Sequence, residues 1–121
     1  MPLLRIIGPL SAFFITCTAP LAAYAFEKVT SRDQFVQIVE GKDLRLTGIR
    51  VNVTPSGKIK GRAYGFGVSG EWQWRDGYFC RSLFWGKQDL GPNCQQVEVK
   101  GNTIRFTSDR GTGQFADLRM R

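Results

Sequence analysis

The sequence predicts a small, mainly β fold: an N-terminal signal peptide, one short helix, then an antiparallel meander closing as a barrel or half-barrel with one disulfide. Three observations carry this expectation. After Gly41, apolar and polar residues alternate with period two in short runs. Glycine-bearing turn signals separate those runs at spacings of roughly 8 to 12 residues, as in antiparallel β domains. Cys80 and Cys94 form an even pair once the leader is removed, and such a pair in an oxidising compartment reads as one disulfide.

Residues 1–25 are ordered like a secretory signal. Arg5 precedes an uncharged apolar run over residues 6–18, Pro20 breaks any helix, and Ala23-Tyr24-Ala25 supplies a small-x-small cleavage site before Phe26. The apolar run is short of the about 20 residues that span a bilayer. Cys17 leaves with this peptide, since Phe14-Ile15-Thr16 does not match the small-residue box of a lipoprotein signal. A periplasmic or secreted protein is expected, with no transmembrane segment after cleavage.

The mature chain, residues 26–121, is expected to be one domain. A chain of that size buries a modest core and gains from a covalent staple. Two cysteines without any histidine do not build an ordinary zinc or haem site, so no metal or other cofactor is expected. The 17 basic residues less Arg5, against 10 acidic ones, leave a net charge of +6. That balance suits a solvated surface; its functional reading is attraction to an anionic envelope component or an acidic protein partner. The basic residues form no run of five or six, so a nucleic-acid arm is not expected.

Ser31 and Gln34 stand at capping-box spacing, Phe35, Ile38 and Val39 share an apolar face, and Gly41 follows. These predict a helix over residues 30–40, covering one end of the sheet's core. Leu44, Leu46, Ile49, Val51 and Val53 then form one strand, with Gly48 a bulge where the alternation slips by one. Pro55-Ser56-Gly57 turns the chain into a strand over residues 59–66, and Gly65, Gly67 and Gly70 break or turn it.

Trp72 and Trp74 share one face of the next strand, opposite Glu71, Gln73 and Arg75. Asp76-Gly77 predicts a hairpin of type I′. Tyr78, Cys80, Ser82 and Phe84 alternate against Phe79, Arg81, Leu83 and Trp85. Pairing Cys80 with Cys94 sets Phe84 opposite Leu90, leaving a loop over residues 85–89, and Gly91-Pro92-Asn93 ends the loop region. Residues 95–100 and 103–107 form a hairpin about Gly101-Asn102, and Asp109-Arg110-Gly111 turns the chain into residues 114–120.

The motifs offer little catalytic chemistry. Gly65-Phe66-Gly67-Val68-Ser69-Gly70 spells GxGxxG, with Asp89 about 20 residues on, but a dinucleotide fingerprint must open a helix. Glu71-Trp72-Gln73-Trp74 alternates like a strand instead. Without histidine there is no general base for a nucleophilic triad. Of the carboxylates at strand ends, Asp76 and Asp109 suit turns, so no catalytic residue is assigned. The candidate binding surface is Trp72, Trp74, Arg75, Tyr78, Arg81, Trp85 and Asp109, where arginines flank aromatics beside the Asp-Gly corner.

The stretch Gly70-x-Trp72-x-Trp74-x-Asp76-Gly77-Tyr78-Phe79-Cys80-Arg81 carries a resemblance, together with Trp85, Asp89, Asn93-Cys94 and Arg105-Phe106-x-Ser108-Asp109-x-Gly111. It resembles a family of small exported bacterial proteins of unknown function, over nearly the whole mature chain. Members often bear the label dihydrodipicolinate reductase, which implies a cytoplasmic, nicotinamide-dependent enzyme. This chain has no βαβ unit, no histidine-rich substrate motif and less than half of that enzyme's length, so no catalytic residue transfers.

The function expected is a non-catalytic binding or structural role in the cell envelope. The alternatives are an enzyme, as that reductase or as a carboxylate-based hydrolase, and a small-molecule carrier with an apolar cavity inside the barrel.

Overall fold

The computed structural model describes residues 25–121, so the expected leader lies outside the described residues apart from Ala25. The element order is β1 (Glu27–Lys28), α1 (Arg32–Val39), β2 (Leu44–Leu46), β3 (Ile49–Val53), β4 (Lys58–Ala63), β5 (Phe66–Arg75), β6 (Tyr78–Trp85), β7 (Gln88–Lys100), β8 (Thr103–Thr107) and β9 (Phe115–Met120). Adjacent strands run β7-β6-β5-β4-β3-β2-β9-β8, and β8 pairs back onto β7. All pairings are antiparallel. Eight strands therefore close into a barrel, the closed one of the two expected forms, while β1 adds two residues to an edge of β7.

The helix plugs one end of this barrel. Ser31 has extended backbone and its hydroxyl accepts from the Gln34 amide at 3.2 Å, which satisfies one of the open donors of the first turn. The Gln34 side chain returns a bond to the Thr30 amide at 3.0 Å, one residue before the position a standard capping box uses. Phe35 is fully buried, with ring centroids 5.2 Å from Trp72, 5.3 Å from Trp74 and 5.0 Å from Phe79. Val29, Val39, Leu44, Val97 and Ile104 complete the fully buried core. The centre of this helix-plugged end, the upper barrel, is thus occupied by an aromatic side chain.

Local chemistry decides most of the turns. Asp76 and Gly77 have φ of 52° and 82° between Arg75 and Tyr78, the two left-handed residues of a type I′ hairpin. Three expectations are corrected. Gly48 is not a bulge: Leu46 pairs with Ile49, so Thr47-Gly48 is a hairpin turn and the expected single strand is two. Gly67 and Gly70 do not break the chain but lie within β5. A Cβ at Gly70 would strike the Ser82 carbonyl of β6, and one at Gly61 the Arg50 carbonyl of β3, so glycine permits the close strand approach that a tight barrel needs.

The third correction concerns the β6–β7 connection. Phe84 pairs with Asp89 and Trp85 with Gln88, so the loop is only Gly86-Lys87. Leu90 is the extra residue of a bulge between the Leu83–Gly91 and Phe84–Asp89 pairs. Gly91-Pro92-Asn93 consequently lies inside β7 rather than closing a loop. The Cys80–Cys94 register does hold, and the two form a disulfide with Cα atoms 3.9 Å apart.

On the outer face of β8 and β9, Arg105 makes a two-pronged pair with Asp117 at 2.7 and 2.9 Å. The guanidinium is flanked by the rings of Phe26 at 4.0 Å and Phe115 at 4.1 Å. Hydrogen bonding to Arg105 holds the Asp117 carboxyl below its usual range, outweighing the opposing effect of partial burial.

Two outcomes follow from these contacts. Replacing Cys80 and Cys94 together by serine lowers unfolding free energy by about 2 to 3 kcal/mol in the oxidised protein, from the entropy of a loop of about 15 residues. Denaturant titration measures it. Asp117→Asn lowers Tm fully at pH 6 to 7, and the deficit shrinks as pH falls through the depressed aspartate range, since protonated Asp117 has already lost its pair. A pH-independent deficit would mean that packing, not charge, holds this corner.

Candidate functional site

A depression of about 1140 Å3 lies beside the disulfide. Its floor comes from β5, β6 and β7, the β3–β4 turn bounds it beyond β5, and the segment Ser108–Gly111 bounds it beyond β7. The strand register arranges two sets of side chains here. Glu71, Gln73 and Arg75 share the face of Ser82, Cys80 and Cys94, while Trp72, Arg81 and Asn93 form one row of the opposite face.

The wall at Ser108–Gly111 has an unusual backbone. Asp109 (φ 55°, ψ 48°) and Arg110 (φ 54°, ψ 36°) both lie in the left-handed region, and Gly111 follows with φ 92°. Left-handed turns of L-residues cost roughly 1 to 2 kcal/mol per residue, so contacts must hold this one. Asn93 supplies them: its Nδ2 donates to Asp109 Oδ1 and its Oδ1 accepts from the Asp109 amide, both at 2.9 Å. The Gln95 side chain donates to Ser108 Oγ at 3.1 Å. The result carries the Arg110 guanidinium over the Tyr78 ring, 5.6 Å from its centroid.

Five cations line the depression: Arg32, Lys58, Arg75, Arg81 and Arg110. Only Glu71 and Asp109 oppose them, and both are engaged, Glu71 with Lys58 at 2.6 Å and Asp109 with Asn93. Arg81 is distinctive. It is half-buried, its Nη1 donates to the Gly91 carbonyl at 3.0 Å, and it forms no ion pair among the described residues. Burial pushes its pKa below the ordinary arginine value, the sign of a cation held away from water without a counter-charge.

The expected binding surface is brought together in part: Trp72, Trp74 and Arg81 share one face of the sheet, Arg75 and Tyr78 the other. Trp72, Trp74, Arg75, Arg81 and Asp109 line the depression, and Tyr78 adjoins it under Arg110. The tryptophans serve mainly as core: Trp72 is buried, with its indole N–H on the Thr54 carbonyl at 2.8 Å, and Trp74 stacks on Phe35. Trp85 is separate. It lies at the far end of β6 against Tyr64 and Phe66, and its indole N–H donates to Ala63 O.

Sequence reasoning missed Arg32, Lys58, Asn93 and Arg110 as site residues. Arg32 reaches the site from the first turn of α1, where it donates to the Pro55 carbonyl at 2.7 Å and lies 5.3 Å from the Trp72 ring. Its only local signal is its place after the N-cap. Asp109-Arg110-Gly111 reads as turn chemistry, and nothing in it announces that Arg110 is turned onto Tyr78.

Hydrogen bonds from basic partners lower the pKa values of Asp43, Glu71 and Asp117, whereas a general acid at neutral pH needs a raised one. The GxGxxG residues occupy a turn and strand β5, with β6 following, so no helix N-terminus meets a pyrophosphate there. Comparison with protein-family models, with curated proteins and with solved structures returns no match.

Asn93→Ala should cost about 1 kcal/mol, the net worth of its paired bonds to Asp109. It should also speed amide exchange at residues 109–113 while leaving the barrel strands protected. Hydrogen exchange reads both, and unchanged exchange in that segment would show that Asn93 does not hold the left-handed turn.

Proposed function

We propose that this is an exported, non-catalytic binding protein of the cell envelope, whose site is the basic depression over β5, β6 and β7 and whose ligand is anionic. The observation that carries the reading is Arg81: a half-buried guanidinium with no ion pair among the described residues, in the row of Trp72 and Asn93, in a concavity that Arg32 and Arg110 also line. An unpaired charge taken out of water destabilises a fold. A bound anion offsets that penalty with charge-assisted hydrogen bonds. Export is supported by the leader-like order of residues 1–25 and by the presence of a disulfide. The carrier alternative needs an apolar cavity, whereas Phe35 and its aromatic neighbours occupy the upper barrel.

Intact mass of protein from the periplasmic fraction checks cleavage after Ala25 and, under native conditions, any retained ligand. Inorganic pyrophosphate is the defined probe, titrated by NMR. The amides of residues 75, 81 and 110 are expected to shift together. Arg81→Met keeps the volume and removes the charge, so Tm is expected to hold or rise while pyrophosphate affinity falls roughly tenfold or more. Unaltered affinity in that variant, or no response at those three amides in the parent protein, would sink the reading.

A further inference from the structure

A second cationic surface lies about half-way round the barrel from the depression. Arg119 of β9 pairs across the sheet with Arg45 of β2, Arg45 with Arg50 of β3, and Arg50 with Arg62 of β4. All four are exposed. At a strand spacing of about 4.8 Å the four Cα positions span roughly 15 Å in one line. The row extends the other way through Thr103 to Lys100. Asp43 pairs with Arg45 at 2.9 Å, and no other member of the row forms an ion pair among the described residues.

Like charges directly opposite in neighbouring strands destabilise a sheet. Three successive Arg–Arg pairs are therefore a cost that folding does not explain. A second cost sits beside them. Residues 64 and 65 make a type I′ turn between Ala63 and Phe66, and Tyr64 has φ 51° where asparagine or glycine is unstrained. Tyr64 is nonetheless 65% exposed and Phe66 59%. The Tyr64 amide donates to the Gly48 carbonyl at 2.8 Å, which ties this turn to the β2–β3 turn beside Leu46, itself 46% exposed. Arg62 donates to the Gly65 carbonyl at 3.0 Å.

One end of the barrel thus carries an apolar tip, and a line of arginines runs immediately behind it. We infer that this surface docks the protein on an anionic phospholipid bilayer, with Tyr64, Phe66 and Leu46 entering the interface and the arginine row lying on the phosphate headgroups. The charge complementarity is direct, and an apolar tip with a cationic collar is the amphipathic pattern that interfacial binding requires. A nucleic acid would supply phosphates for the arginines, but an aliphatic leucine at the tip gives it no stacking partner. The proposal does not rest on the depression, which lies on the other side of the molecule.

Vesicle co-sedimentation tests it, using phosphatidylcholine with and without phosphatidylglycerol at low and high salt. The protein is expected on the anionic vesicles at low salt, and to leave them as salt rises. The neutral vesicles set the baseline for any apolar segment at the N-terminus. Arg50→Gln should reduce partitioning about fivefold, while raising Tm by about 1 to 3 °C as repulsion is relieved. Lys28→Gln, off the row, removes the same charge and should change partitioning less than about twofold.

Tyr64→Asn suits the left-handed turn, so it should stabilise the fold and still weaken vesicle binding. Equal losses for Arg50→Gln and Lys28→Gln would reduce the effect to net charge and overturn the proposal. So would undiminished binding by Tyr64→Asn, or tighter binding to a single-stranded oligonucleotide than to the anionic vesicles.

Discussion

Everything in this fold depends on β7 changing partner half-way along. Residues 88–95 pair with β6, residues 96–100 pair with β8, and β1 takes the edge that β6 has left. The second half closes the barrel; the first half extends past the closure with one edge lacking a strand. The disulfide sits at that change, since Cys94 precedes the first β8-paired residue by two. The Cα separation of 3.9 Å marks a non-hydrogen-bonded pair. Ser82 and Pro92, two residues along, pair in the same sense, so the N–H that Pro92 lacks points away from β6. Proline is tolerated in β7 for that reason. The left-handed segment at Ser108–Gly111 then bounds β7 where β8 has ended, and the basic depression exists because of it.

Features written in adjacent residues were legible in the sequence. The I′ turn at Asp76-Gly77 needs only two residues that accept positive φ, and the helix needs only Ser31, Gln34 and its apolar face. Cys80–Cys94 required one further step, a consistent strand register. Gly48 was misread because an alternation slip and a two-residue turn look alike until the partner of Leu46 is known. Leu90 was misread because a bulge is the response of one strand to the curvature of its neighbour, and that curvature is a property of the closed barrel. Gly67 and Gly70 carry the usual signature of turns, yet pairing with β4, and for Gly70 also with β6, places them in a strand.

The site was legible in part for the same reason. Trp72, Trp74, Arg75 and Arg81 lie within ten residues, so alternation alone groups them. Arg32 and Arg110 join them only through the helix plug and the left-handed turn, both tertiary arrangements. The arginine row is more extreme: positions 45, 50, 62 and 119 look like scattered surface charge. A net charge of +7 says nothing about whether the cations are dispersed or aligned; register decides that.

The barrel itself shows that alignment is not forced on it. One row on the outer face of β1, β7, β8 and β9 runs Lys28, Glu98, Arg105, Asp117 across directly paired positions. There the signs alternate, and Arg105 closes a two-pronged bond with Asp117 between two aromatic rings. The row through Arg119, Arg45, Arg50 and Arg62 uses the same kind of outward positions on the same sheet, with no such alternation. A glutamate in place of Arg50 would convert it into the stabilising arrangement, at a solvent-exposed site where nothing in the packing requires arginine. Repulsion along a line of cations is relieved by bringing up counter-charges of matching extent. A surface that keeps such a line beside exposed aromatic side chains is therefore built to meet something flat, anionic and apolar just below its charged layer.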